Sequence, residues 1–157
     1  MTEQLSPLAL QALAIVEESG AIISANHAHP HTIRHKGRID LVTETDIAVE
    51  AFLKERLATL TPEAGFLAEE SAEDLSLPDT CWIIDPVDGT TNFAHGLPLT
   101  VTSVAYRLNG EIVLGIVNAP LLRECFIAEK GKGAWRNGER IGVSSVAACE
   151  NALVSTG

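Results

Sequence analysis

The stretch Trp82-Ile83-Ile84-Asp85-Pro86-Val87-Asp88-Gly89-Thr90-Thr91-Asn92-Phe93 organises the chain around it. Its apolar start, Thr80 to Asp85, reads as a buried strand, and the proline and glycine that follow force the backbone to turn. Hydroxyl residues then open what reads as a short helix. Asp85 and Asp88 are separated by a Pro-Val step whose bend can bring both carboxylates to one side, with the Val87 carbonyl as a further oxygen donor. Hard divalent cations want such donors, and Mg2+ is held by a few carboxylates plus water and substrate phosphate oxygens. Gly89 to Asn92 supplies the anion side, because glycine permits close backbone approach and the N–H groups of a helix start bind phosphate without basic side chains. Taken alone, the Asp-Pro-x-Asp-Gly pattern is also simply a turn, since each of its residues favours one.

Two stretches upstream can join this turn. Gly65 to Ala68 is a short apolar strand running straight into Glu69-Glu70. Adjacent residues on an extended chain face opposite ways, so only one of the two glutamates need face a site, and Glu69 can complete a first metal position. Thr43-Glu44-Thr45-Asp46 is rich in capping residues and starts a helix whose apolar stripe is Val49, Phe52, Leu53, Leu57 and Leu60, ended by Thr61-Pro62. Asp46 sits in the first turn of that helix, where a carboxylate is favoured by the dipole whether or not it is catalytic. Before it, Ser6-Pro7 opens another helix running to about Ala25, with Leu8, Ala12, Ile15, Val16, Ser19, Ile22 and Ile23 at helical spacing.

Between the helices, Asn26 to His35 carries His27, His29, His31 and His35 without an apolar period, and reads as a solvated loop in preference to a metal site. After the central stretch the pattern becomes strands in sequence. Leu99 to Leu108 and Glu111 to Val117 flank Asn109-Gly110, a strong hairpin signal; Arg123 to Glu129 follows, and then Ile141 to Val143 after Asn137-Gly138. Gly131 to Gly138 fails the glycine-rich phosphate-loop patterns and reads as tight strand connections. Ala152 to Gly157 begins another apolar run, like the start of a strand. The expected fold is therefore α+β, two N-terminal helices packed on a mainly antiparallel sheet.

Composition narrows the function. At 157 residues, 46% hydrophobic and 20% charged, the chain suits one globular domain. A net charge of −10 argues against a nucleic-acid surface and makes metal ions the natural counter-charge for an anionic substrate. Cys81, Cys125 and Cys149 are far apart and odd in number, which reads as buried free thiols in a reducing compartment. Met1 to Leu10 has neither a basic region nor a long apolar run, so no signal peptide or membrane span is expected, and a cytoplasmic location is.

The residues from Trp82 to His95 closely resemble the signature of the inositol monophosphatase family. Three further pieces fall in that family's order: Asp40 to Thr43 with Asp46, Phe66 to Ser71, and Gly131 to Ala134 with Asn137-Gly138. The resemblance implies that Glu69, Asp85 and the Val87 carbonyl hold a first Mg2+ and that Asp85 and Asp88 hold a second. It implies that Thr90, with Asp46, orients and deprotonates the attacking water, Glu69 standing beside them in the catalytic set. The amides of Gly89 and Thr90 would cradle phosphate, Glu70 would lie nearer the outer metal shell, and Lys36 would sit on a mobile loop at the site's edge. Ala68 departs from the glycine common at its position.

The family continues well past this length into a second layered half, so residues 1–157 are expected to form the N-terminal α+β metal-binding domain with the C-terminal half absent. The implied function is Mg2+-dependent hydrolysis of a small phosphate monoester, an inositol-phosphate-like polyol or sugar phosphate, by metal-activated water, with lithium sensitivity and a homodimer. The alternatives are a truncated or non-catalytic regulatory relative, or a phosphatase acting on a nucleotide 3'-phosphate, fructose bisphosphate or histidinol phosphate.

Overall fold

The structure, a computed structural model, describes residues 5–27, 34–35, 41–71 and 77–154. Lys36, Asp40, His29, His31 and the last residues, 155–157, lie outside the described residues, as does most of the acidic loop before Pro78. Two helices come first: α1, Pro7–Asn26, and α2, Glu44–Ala58. Between them β1, Arg34–His35, pairs antiparallel with β2, Leu41–Val42. Then follow β3 (Gly65–Ala68), β4 (Cys81–Asp88), the short helix α3 (Thr90–Ala94), β5 (Val101–Leu108), β6 (Glu111–Ala119), β7 (Glu124–Glu129), β8 (Gly133–Arg136) and β9 (Glu139–Ile141).

Strands β3 to β9 form one sheet in chain order. The β3–β4 pair is parallel and every other neighbouring pair is antiparallel, so the sheet is mainly antiparallel as expected. Helices α1 and α2 pack against each other and on the sheet, α2 over β4 and α1 over β5, β6 and β7. The core between them is aliphatic, with Val16, Ile23, Val49, Leu53 and Leu57 from the helices meeting Ile84, Val104, Leu114 and Ile116 from the strands. Trp82 is its largest member. Its indole N–H donates to Thr61 Oγ1 at 2.8 Å, which satisfies the one polar atom on a fully buried ring.

Helix α1 is long and apolar enough to cross a membrane by length and composition alone. One face of it, Ala9, Ala12, Ile15, Val16, Ser19, Gly20 and Ile23, is buried in this core. Ser6 caps it, accepting the Ala9 N–H at 3.2 Å, with Pro7 in the first turn. Asn109-Gly110 and Asn137-Gly138 both adopt positive φ at both residues, the conformation that matches the twist of a two-residue hairpin.

Some expectations need correction. Gly133–Arg136 is a strand, although the surrounding glycines suggested only connections. The hairpin pairs Arg136 with Glu139, so β9 starts directly after the turn and ends at Ile141, leaving Val143 fully exposed. Cys81 and Cys125 are buried free thiols, but Cys149 is exposed. His27 is not a solvated loop residue: α1 runs to Asn26, His27 caps it, and its half-buried ring lies 5.8 Å from that of Phe93. Leu153 and Val154 are exposed and outside the sheet.

Candidate metal and phosphate site

The turn at the end of β4 owes its shape to an irregularity in the sheet. Asp85 pairs with Ser103 and Asp88 with Val101, so three residue steps on β4 span two on β5. One extra residue in a strand is a bulge, and it reverses the alternation that would otherwise put residues three apart on opposite faces. Pro86 is tolerated at such a bulge because it has no N–H for the ladder. Two threonines of the β5 side hold the bulge: Thr102 Oγ1 donates to the Pro86 carbonyl at 2.9 Å and Thr100 Oγ1 to the Asp88 carbonyl at 3.0 Å.

Gly89 then turns the chain with φ 92°, and a Cβ there would come within 2.8 Å of the Leu99 carbonyl oxygen. No other residue type meets both demands. Its carbonyl accepts the Phe93 N–H at 2.9 Å, which starts α3 and leaves the first-turn amides without intrahelical acceptors.

Asp46 serves two structures at once. Its Oδ2 accepts the Thr43 N–H at 2.9 Å and the Thr43 hydroxyl at 2.5 Å, closing a capping box at the start of α2. Its Oδ1 is left to accept the Thr90 hydroxyl at 3.0 Å, and that hydroxyl also lies 2.9 Å from the Val87 carbonyl. Asp46 is buried, so both oxygens need these partners. Asp46 thus keeps its first-turn place in α2 through one oxygen while the other reaches Thr90.

Glu69 follows β3, whose parallel pairing with β4 sets Ala68 beside Ile84 and so brings Glu69 next to Asp85. Ala68 has an ordinary negative φ, so its departure from glycine strains nothing. Burial pushes the Asp85 carboxyl up to about 7, with the adjoining Glu69 carboxyl repelling and hydrogen-bonding it and the charges of Asp88 and Asp46 adding to the rise. Asp85 Oδ1 is buried and has no hydrogen-bond partner.

A buried acceptor oxygen among three further carboxylates fits a hard cation. Among the described residues no three His, Cys, Asp or Glu side chains form a ready-made cage. Such a cation would therefore draw on the Val87 carbonyl and on oxygens from outside the protein, as Mg2+ usually does. Of the residues singled out in the sequence, Asp46, Glu69, Asp85, Val87, Asp88, Gly89 and Thr90 lie around this turn. The Glu70 N–H turns away to Glu50 Oε2 on α2 at 2.8 Å. Glu50 itself was missed, although its i+4 spacing from Asp46 places both on one face of α2.

Comparison with known proteins agrees with this geometry. The sequence profile of the inositol monophosphatase family matches residues 4–157. A Dictyostelium discoideum inositol monophosphatase is 44% identical over 92% of this chain and 55% of its own length. The Thermotoga maritima IMPase structure superposes with a TM-score of 0.79 at 38% identity, covering 85% of this chain and 52% of that one. A structure of an IMPase/NADP phosphatase complexed with Mg2+ and phosphate gives a TM-score of 0.72 at 28% identity, covering 81% and 49%. The chain spans about half the length of the relatives it matches.

Proposed function

Because the chain belongs to the inositol monophosphatase family, we propose that the protein hydrolyses a small phosphate monoester, an inositol-phosphate-like polyol or sugar phosphate, with Mg2+ as its cofactor. The observation that carries this reading is Asp85 Oδ1, buried and unpartnered beside Glu69, Asp88 and Asp46. Glu69, Asp85 and the Val87 carbonyl would hold one ion, and Asp85 with Asp88 a second. A bound divalent cation stabilises charge on phosphoryl oxygens and makes water a better nucleophile. The relative described as an IMPase/NADP phosphatase with Mg2+ and phosphate supports this assignment.

The chain's own groups handle the proton. Thr90 donates its hydroxyl proton to Asp46 Oδ1, which turns an Oγ1 lone pair outward. As water attacks phosphorus, its proton passes to Thr90 Oγ1 while the threonine proton moves to Asp46 Oδ1. Thr90 ends as it began and Asp46 carries the extra proton. The amides of Gly89 and Thr90 bind the phosphate oxygens at the start of α3. Attack is direct, since among the described residues no Ser, Cys or His nucleophile is arranged here with a base partner.

The test is phosphate release from inositol 1-phosphate by protein expressed from its native reading frame, with and without Mg2+. Release that needs Mg2+ and is lost in Asp85→Asn is the expected result. A folded, Mg2+-binding protein with no release above background would leave a non-catalytic metal-binding relative as the correct reading.

A further inference from the structure

Glu50 is a carboxylate in the middle of α2, and it is only 4% exposed. Such a group is held inside a protein where something there needs it. Its partners are all connected with one turn. Glu50 Oε2 accepts the Glu70 N–H at 2.8 Å, and Glu50 Oε1 lies 4.0 Å from Lys54 Nζ, one helical turn on. Lys54 Nζ then donates to Ser71 Oγ at 2.8 Å. Two side chains of α2 thus grip two successive residues of the turn after β3.

Glu69 is the residue immediately before that grip. Its own N–H donates to the Ile84 carbonyl at 3.1 Å, the last contact of the parallel β3–β4 pair. The Glu70 amide falls beyond the end of β3 and donates to Glu50 Oε2. Glu69 is therefore fixed from one side by the sheet and from the other by α2, while its exposed side chain faces Asp85.

We propose that Glu50 and Lys54 are positioning residues for the metal site: by holding the Glu69–Ser71 turn they set the affinity for a divalent cation that neither of them touches. This rests on the reading of Glu69 and Asp85 as metal ligands. Groups that orient ligands from behind commonly change metal affinity by about ten-fold or more when removed. Glu50→Leu removes the acceptor, whereas Glu50→Gln keeps an oxygen for the Glu70 amide.

Mn2+ binding to the native-reading-frame protein, followed by calorimetry with no substrate present, tests the proposal. Glu50→Leu is expected to weaken Mn2+ binding by about ten-fold or more. Glu50→Gln keeps most of the affinity. In a Glu69→Gln background Glu50→Leu has no further effect, because its route to the ion is already gone. Unchanged affinity in folded Glu50→Leu, or the same loss with and without the Glu69 carboxylate, overturns the proposal. If Glu50→Leu does not fold, Lys54→Met and Ser71→Ala on the exposed side of the grip decide by the same two criteria. Asp85→Asn separates the two levels. Loss of Mn2+ binding there with none in Glu50→Leu sinks only the positioning role, while unchanged binding in Asp85→Asn sinks the metal reading itself.

Discussion

Thr90 and Asp46 stand 44 positions apart in the chain and meet through a 3.0 Å hydrogen bond, Thr90 Oγ1 donating to Asp46 Oδ1. The same carboxylate closes the capping box of α2 through its other oxygen, so its proposed catalytic role and its helix-stabilising role separate by substitution. Asp46→Asn retains a cap, and its melting temperature should stay close to that of the parent. Its kcat should fall by about 10²-fold or more, since the proton acceptor is gone. Asp46→Ala should lose the activity and about 1 kcal/mol of stability as well. Kinetics and thermal melts on the two variants check both halves.

A cation held as proposed at Asp85 would compete with a proton. Its carboxyl titrates at about 7 in the folded protein against an ordinary value of 3.8. The folded state therefore binds this proton more tightly than the unfolded state, and metal-free protein should lose stability as pH rises from about 4 to about 7. Asp85→Asn should abolish that slope. Cation affinity should move the opposite way, rising with pH to about 7 and then levelling, because the ion competes with the proton. Melts in EDTA and Mn2+ titrations across this range report the two trends.

Gly20 lies within α1, where alanine would ordinarily stabilise by about 1 kcal/mol. Here a Cβ would sit 2.7 Å from Asn118 Nδ2 and 2.9 Å from Pro120 Cβ. Neither can yield easily, since Asn118 is buried and donates to the Val16 carbonyl at 3.1 Å and Pro120 is a rigid ring. Gly20→Ala should destabilise by about 1–3 kcal/mol, as overpacked cores do. A denaturant melt that showed stabilisation would contradict this packing.

Glu129 holds the start of α1. Burial raises its pKa, but the Ser6 N–H at 2.8 Å and Lys132 at 2.9 Å outweigh that and leave it lowered. A depressed carboxylate stabilises the fold above its unfolded pKa, and the contribution is lost as pH falls through the folded value. Glu129→Gln should cost about 1 kcal/mol at neutral pH, and the difference from the parent should vanish in acid. Parallel melts at neutral pH and below about pH 4 test it.

The central turn was legible because its residues carry strong local preferences: an apolar run for β4, proline and glycine for the turn, hydroxyls for the helix start. The Asn-Gly hairpins were legible for the same reason. What escaped was set by distant partners. Glu50 has the sequence of a solvated helix position, and only an amide 20 residues later makes its burial sensible. The β8 strand was hidden by its flanking glycines, and the extent of β9 follows from hairpin register. The parallel direction of β3 against β4, which delivers Glu69 to Asp85, leaves no periodic mark at all.

The bond from the Ser6 amide to Glu129 joins positions 123 residues apart. During synthesis the first helix leaves the ribosome long before its anchoring carboxylate exists. Its apolar face then has only α2 to pack against while the sheet that will receive it is still being made. The start of α1 is secured only once β7 has emerged, and chains ending before and after Glu129 would differ in the fraying of its first turn.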